Sequence, residues 1–375
     1  MFLPQRVALL LPSLVGGGAE RSARFVGIAL ERAGYAVDMV VAVRKGELTD
    51  DPWVQAHLVD LKARNELLAL PAYLRYLDRA RPGLVISFVH SANLVSGLGG
   101  ALRPATPFIV SVRNSLIKQP RDQWWVRRAF GMRPERRLYA RARFVQTISD
   151  EVADQCRTLL GVPEERLRIT YNSALDPGDV AATTPSPQDG PEAAALRPFF
   201  LSVGRLVPIK GFDTLIRALA QAAPRLPAGW RLAIVGDGPE RAALERLAAE
   251  CGVAGRVVFA GYRRHAGAWF AQAGGFCFAS RGEAFGRVLH EALLARLPVV
   301  AASGPGVNEV LGHGRMGRLV NAGDVDAFAA AMVEIATGTF PMPAAADLDE
   351  HLRRYDPEAV SARYVAMVKE AIGTP

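Results

Sequence analysis

The chain has only three cysteines in 375 residues, Cys156, Cys251 and Cys277, far apart and with no C-x-x-C pair. That spacing excludes a disulfide scaffold and a zinc knuckle and fits a reducing compartment. The longest run without Asp, Glu, Lys or Arg, Pro82–Leu102, is broken up by His90, Asn93 and three serines, so no membrane-spanning helix is expected from it. Near the N-terminus the apolar run Val7–Leu11 is strand-length, has one charge before it and no small-residue cleavage site. Neither a signal peptide nor a transmembrane helix is therefore expected, and the chain reads as a soluble cytoplasmic protein. No strand-to-helix turn carries a complete G-x-G-x-x-G, and the Lys-Ser/Thr of the NTPase phosphate loop and any recognised nucleic-acid module are missing too. No His/Asp/Glu cluster has metal-ligand spacing, so no metal is expected.

What is present is a chain able to bury real cores, half hydrophobic and 22% charged, with 35 glycines and 25 prolines spread along it. Its length suggests two domains. The net charge of +8 is concentrated: between Arg113 and Arg143 there are ten Lys or Arg against two acids, which equals the whole excess. A stripe of that density meets phosphate, on nucleic acid, nucleotide or anionic lipid, or else forms a solvated arginine-rich face. Trp124, Trp125, Phe130 and Met132 interleave with it, and aromatics of this kind favour a bilayer interface.

Short β-branched runs alternate with helical patterns from first to last. Arg6–Leu11, Ala36–Val43, Leu84–Phe88, Phe108–Val112 and Phe144–Thr147 read as strands in the first half. Phe199–Val203, Leu232–Val235, Val257–Ala260, Phe276–Ala279, Val299–Ala301 and Arg318–Val320 continue the rhythm in the second. Near-continuous apolar strands separated by helices indicate parallel sheets covered on both faces. The stretch 176–198, with Pro177, Pro185, Pro187, Pro191 and Pro198 and no apolar periodicity, reads as a linker. The expected organisation is an N-terminal α/β domain over 1–175, the linker 176–198 and a C-terminal domain over 199–356. A last helix over 357–375 is opened by Pro357 and placed back on the N-terminal domain. Doubly wound folds take ligands at the carboxyl ends of their strands, so two such domains face to face make a cleft.

Four segments carry candidate chemistry. Gly16-Gly17-Gly18 after the first strand lets backbone amides approach an anion, although glycine-rich strand-to-helix turns also arise for steric reasons. Gly236-Asp237-Gly238-Pro239 resembles half a dinucleotide fingerprint, but Asp237 would repel a pyrophosphate, which favours a plain tight turn. In Gly204-Arg205-Leu-Val-Pro-Ile-Lys210-Gly, two cations five residues apart on an apolar loop suit a diphosphate, one as a fork and one as a point charge. Glu283 lies before a helix that starts near Gly286, and Glu291 lies about one turn inside it. Two acids bracketing a helix N-terminus match an extended ligand whose phosphate sits there and whose hydroxyls lie on either side. The D-x-D pairs at Asp324–Asp326 and Asp347–Asp349 read as helix N-caps.

Taken in order, these segments resemble glycosyltransferase family 4, the retaining GT-B nucleotide-sugar transferases. The resemblance covers nearly the whole chain: Gly16-Gly-Gly-Ala-Glu20, Val203-Gly-Arg-Leu with Lys210-Gly-Phe-Asp213, Ile234-Val-Gly-Asp-Gly-Pro239, the E-x7-E of Glu283 and Glu291, and Pro298-Val-Val-Ala301 leading to Gly304-Pro-Gly-Val-Asn-Glu309. It implies two Rossmann-like doubly wound domains facing across a cleft and transfer of a hexose from a nucleotide diphosphate sugar, with UDP favoured. The implied acceptor is a glycan or lipid-linked glycan of the cell envelope. By the same resemblance Arg205 and Lys210 hold the donor diphosphate beside Gly204. Glu283, with the Ala284, Phe285 and Gly286 amides, meets the donor sugar, and Glu291 meets the ribose. Gly17 and Gly18 line the site from the other domain, and His90 lies near the transferred sugar, where a plain loop histidine is the competing reading. Where the family commonly has Gly after its first Glu, this chain has Ala284, which alters the sugar pocket. The implied enzyme needs no metal or cofactor, binds no nucleic acid, and touches the inner face of the membrane peripherally through Arg113–Arg143. The competing readings are a Rossmann-type NAD(P) or FAD oxidoreductase, which lacks its fingerprint, and a basic nucleic-acid binder, which lacks its module.

Overall fold

The computed structural model describes residues 5–15, 18–114, 116, 133–173, 189–263, 266–283, 285–304 and 306–373. The chain divides into two compact units, Met1–Asp176 with Tyr355–Pro375, and Pro177–Arg354. Among the described residues no helix is long and apolar enough to cross a membrane.

The first unit is built on β1 (Arg6–Leu11), β2 (Ala36–Val41), β3 (Leu58–Asp60), β4 (Leu84–Phe88), β5 (Phe108–Val112), β6 (Phe144–Thr147) and β7 (Leu167–Ile169). They form one sheet in the order β3-β2-β1-β4-β5-β6-β7, with every pairing parallel. Side chains alternate across a strand, so β1 sends Val7, Leu9 and Leu11 to one face and Ala8 and Leu10 to the other. The first face is covered by the helix Gly18–Arg32, whose buried Ala23, Val26 and Leu30 recur at helical spacing. The C-terminal helix Pro357–Ile372 covers the same face through Val360, Tyr364, Met367 and Val368. Asp356 caps that helix, accepting from the Glu358 and Ala359 amides at 2.9 and 3.0 Å. Tyr73, Tyr76 and Leu77 of the helix Leu70–Ala80 close the opposite face.

The second unit holds β8 (Phe199–Val203), β9 (Arg231–Val235), β10 (Val257–Gly261), β11 (Gly275–Phe278), β12 (Val299–Ala302) and β13 (Arg318–Val320). Their order is β10-β9-β8-β11-β12-β13, again with parallel pairing throughout. Phe200, Leu232, Ile234, Cys277 and Val300 share a core with Leu215 and Leu219 of the helix Phe212–Ala222 and with Phe328 and Met332 of the helix Val325–Thr337.

In both sheets the strand order reverses once, between β1 and β4 and between β8 and β11. Neighbouring loops there leave in opposite directions and open a crevice at the carboxyl ends, where such sheets take ligands. The expected linker needs correction. Residues 174–188 lie outside the described residues, but Asp189–Ala195 is a helix with Ala193 fully buried. Its alanine run has high helix propensity, and Glu192 is held by Arg263 at 2.7 Å.

Candidate active site

The loop after β8 is shaped by the Gly236–Pro239 turn beneath it. The Gly204 amide donates to Val235 O at 3.0 Å and the Leu206 amide to Asp237 O at 2.9 Å, while the Glu240 amide returns to Leu206 O at 3.1 Å. Gly236 has φ 144°, and a Cβ there would lie 1.9 Å from Gly204 O. Only glycine fits, so this turn braces the loop above it. Leu206 is fully buried and pins the loop, leaving Arg205 exposed beside it. The loop ends in a 3-10 turn, Pro208–Lys210, followed by Gly211 at φ 67°. A Cβ on Gly211 would lie 2.1 Å from Ala279 O, so the two loops meet backbone to backbone.

The loop after β11 is stitched to that turn. The Arg281 amide donates to Ile209 O at 2.7 Å. Its guanidinium donates to Pro208 O at 2.8 Å, Asp213 Oδ2 at 2.5 Å and Thr214 Oγ1 at 3.1 Å. Lys210 Nζ then reaches Glu283 Oε2 at 2.6 Å, with side chains 26% and 21% exposed. Lys210 also lies 5.7 Å from the centre of the Phe278 ring. Phe285 is buried and stacks on His290 at 4.8 Å. Complete burial holds the His290 imidazole down to about 3, helped by the nearby His351 and Arg287, so it is neutral at physiological pH. Glu291 is half-buried on the same helix, Arg287–Leu294. The structure thus brings Gly204, Lys210 and Glu283 together and places Arg205, Phe285, Gly286 and Glu291 on the same two loops and helix. A cation and a carboxylate fixed side by side can hold an anion and a hydroxyl of one ligand.

In the first unit, Gly18 starts the helix after β1, and its carbonyl accepts from Ser22 Oγ at 2.7 Å. His90 opens the helix His90–Leu102 after β4, so both lie at the strand-order reversal. His90 Nε2 stands 3.9 Å from Glu135 Oε1, with Glu135 buried. Gly17 and Ala284 lie outside the described residues, as do Trp124, Trp125, Phe130 and Met132 of the basic stripe.

Two expectations need correction. Arg113, counted in the basic stripe, is 5% exposed. It donates to Ser111 Oγ at 3.3 Å, Tyr364 OH at 3.4 Å and Asn172 Oδ1, and lies over the Phe88 ring. It staples the C-terminal helix to the sheet and presents no charge to a membrane. Of the two D-x-D pairs, Asp324 caps its helix through the Ala327 amide at 2.9 Å. Asp347 instead sits within the first turn of the helix Ala345–Leu352, after Ala344 at the cap, and Asp349 is taken by Arg296. Among the described residues no three His, Cys, Asp or Glu side chains are grouped to hold a metal ion. Arg281, Asp213 and Glu135 were not legible as site-building residues, because each acts on a partner distant in sequence.

Known proteins resemble this chain in both halves. Residues 197–337 match the family described as glycosyl transferases group 1. Residues 17–173 match the glycosyl transferase 4-like domain. The lipopolysaccharide core biosynthesis glycosyltransferase LpsE of Rhizobium meliloti is 38% identical over 158 residues, 42% of this chain and 44% of that protein. The GDP-mannose-dependent alpha-(1-6)-phosphatidylinositol monomannoside mannosyltransferase of Mycobacterium tuberculosis is 37% identical over 148 residues, 37% of this chain and 38% of that one. The chain therefore spans less than half the length of these curated relatives. Among solved structures, Anabaena Alr3699/HepE in complex with UDP-glucose has a TM-score of 0.75 at 20% identity, covering 97% of this chain and 99% of that one. The lipopolysaccharide outer core galactosyltransferase WaaB has a TM-score of 0.71 at 17% identity, covering 98% and 99%. With two Rossmann-like parallel-sheet units and family matches in both, the chain belongs to the family-4-type GT-B glycosyltransferases.

Proposed function

We propose that the protein is a retaining glycosyltransferase that moves a hexose from a nucleotide diphosphate sugar, with UDP favoured, to a glycan or lipid-linked acceptor of the cell envelope. The observation that carries this reading is the Lys210–Glu283 pair, 2.6 Å apart on the loops that follow β8 and β11. During transfer the bond from the anomeric carbon to the diphosphate oxygen breaks and its electron pair stays on that oxygen. An acceptor hydroxyl oxygen bonds the anomeric carbon, and its proton passes to the released diphosphate. Arg205 and Lys210 take up the new charge, while Glu283 holds a hydroxyl of the departing sugar and Glu291 the ribose. Preorganised donors of this kind are each worth ~10²–10³ in turnover. The site works without a metal ion. We further propose that His90 and the Gly17–Gly18 backbone serve the transferred sugar.

The UDP preference draws support from the fold relatives solved with UDP and UDP-glucose, and the envelope role from the lipopolysaccharide glycosyltransferase LpsE. The test is release of nucleoside diphosphate from UDP-glucose, UDP-galactose and GDP-mannose, with the anomeric configuration of the product read by NMR. Release from UDP-sugars with a retained anomer is expected. Release from GDP-mannose alone, or an inverted product, overturns the corresponding part of the reading.

The segment Arg113–Arg143, without the buried Arg113, is proposed to rest on an anionic membrane surface, where each Arg or Lys contributes about 1 kcal/mol. Replacing Arg127 and Arg128 by Glu should abolish sedimentation with anionic liposomes and leave donor hydrolysis intact. Equal binding to neutral and anionic vesicles contradicts that contact.

A further inference from the structure

His90 enters its helix through a strained residue. Val89 has φ 65° and ψ 163°, a combination open to glycine and closed to β-branched side chains. Among the described residues four other non-glycine residues have positive φ, Lys62, Arg81, Arg296 and His313, and none of them is β-branched. Arg81 and His313, with ψ 55° and 39°, adopt the ordinary left-handed conformation. Val89 does not.

Such strain persists only where the surroundings over-determine the conformation, and here they do. Val89 O accepts from the Asn93 amide at 2.9 Å. The Asn93 side chain is 1% exposed. Its Oδ1 accepts from Ser87 Oγ at 2.8 Å, and its Nδ2 donates to Ser111 O at 2.9 Å and Tyr139 OH at 3.4 Å. Ser87 belongs to β4 and Ser111 to β5, while Tyr139 ends the helix Arg133–Tyr139 that also carries Glu135. One buried amide thus ties the turn to two strands and to the helix whose carboxylate faces His90. A glycine would fit this turn without strain, and would also let it move. Valine leaves it a narrow range of shapes.

We propose that Val89, clamped by Asn93, is a positioning residue that fixes the direction in which His90 leaves the end of β4. The proposal rests on the reading of His90 as a residue beside the transferred sugar. The test compares Val89→Gly, Val89→Ala and His90→Ala by melting temperature, and by kcat and donor KM on whichever of UDP-glucose or GDP-mannose the wild type turns over. Alanine keeps the Cβ that restricts the turn, so its kcat should stay within ~3-fold of wild type while its Tm falls. Glycine releases the strain, so Val89→Gly should melt ~2–6 °C above Val89→Ala. Its kcat should nevertheless fall ~10-fold below that of Val89→Ala with donor KM unchanged, because a misplaced catalytic group costs turnover rather than binding. A merely structural role would make glycine the better variant on both measures. Equal kcat in the two Val89 variants overturns the proposal. Full turnover in His90→Ala is a separate outcome, which removes the reading of His90 beneath it.

Discussion

Replacing Glu283 by Gln should tighten binding of UDP and slow transfer at the same time. Lys210 Nζ and Glu283 Oε2 are 2.6 Å apart, with side chains 26% and 21% exposed. At an effective dielectric of about 20 the raw attraction over that distance is roughly 6 kcal/mol. Desolvation and lost side-chain freedom offset most of it, so a pair about one-quarter exposed retains about 1 kcal/mol. A diphosphate that takes Lys210 as its anchor must compete with that hold and also approach the carboxylate's charge. Glutamine keeps the shape and removes both obstacles, so the Kd for UDP should fall about 5-fold, since 1.4 kcal/mol is tenfold. Turnover should drop at least ~10-fold, because a neutral amide holds a sugar hydroxyl less strongly than a carboxylate does. Isothermal titration with UDP alone, in low and moderate salt, reads the first effect, and steady-state diphosphate release reads the second. Unchanged or weaker UDP binding in Glu283→Gln would refute the competition between carboxylate and diphosphate for Lys210.

Glu291→Ala should raise donor KM with kcat nearly preserved, because ribose contacts are alike in the ground and transition states, and a steady-state titration of donor checks it. Arg281→Ala should free the Pro208–Lys210 turn that its guanidinium holds, lowering kcat ~10-fold while Arg281→Lys keeps part of it, as initial rates will show. The buried His290 gives a pH signature. Its folded value, about 3, lies below the 6.5 of the unfolded chain, so the unfolded state binds the extra proton between those values. Stability is therefore full above ~6.5 and falls by about 1.4 kcal/mol per unit as the pH drops below it. His290→Gln should flatten that slope in denaturant unfolding curves taken from pH 7 to 5.

Most strands were legible because β-branched apolar runs stand out between helical patterns. β3 and β7 were not, since Leu58–Asp60 and Leu167–Ile169 are three-residue edge strands, only partly buried and too short for any periodicity. Proline composition concealed the helix Asp189–Ala195 inside the expected linker. At the site, Arg205, Lys210, Glu283 and Glu291 could be picked out as charges beside glycine turns at strand ends. Arg281 could not, because its partners Asp213 and Pro208 lie 68 and 73 residues away. Arg113 misled for the opposite reason: charge can be counted in a sequence, whereas burial against Asn172 and Tyr364 depends on elements far along the chain. Val89 gave no signal at all, since nothing in a valine after Ser87-Phe88 marks a left-handed turn and its positive φ is imposed from outside.

The most direct test of the account is release of nucleoside diphosphate from a UDP-sugar by the wild type and by Lys210→Ala, both in excess chelator. Wild-type release should persist without divalent metal, and Lys210→Ala should lower kcat by at least ~10²-fold. Full activity in Lys210→Ala, or loss of wild-type activity restored only by Mn²⁺ or Mg²⁺, would contradict a metal-free diphosphate site built on Lys210.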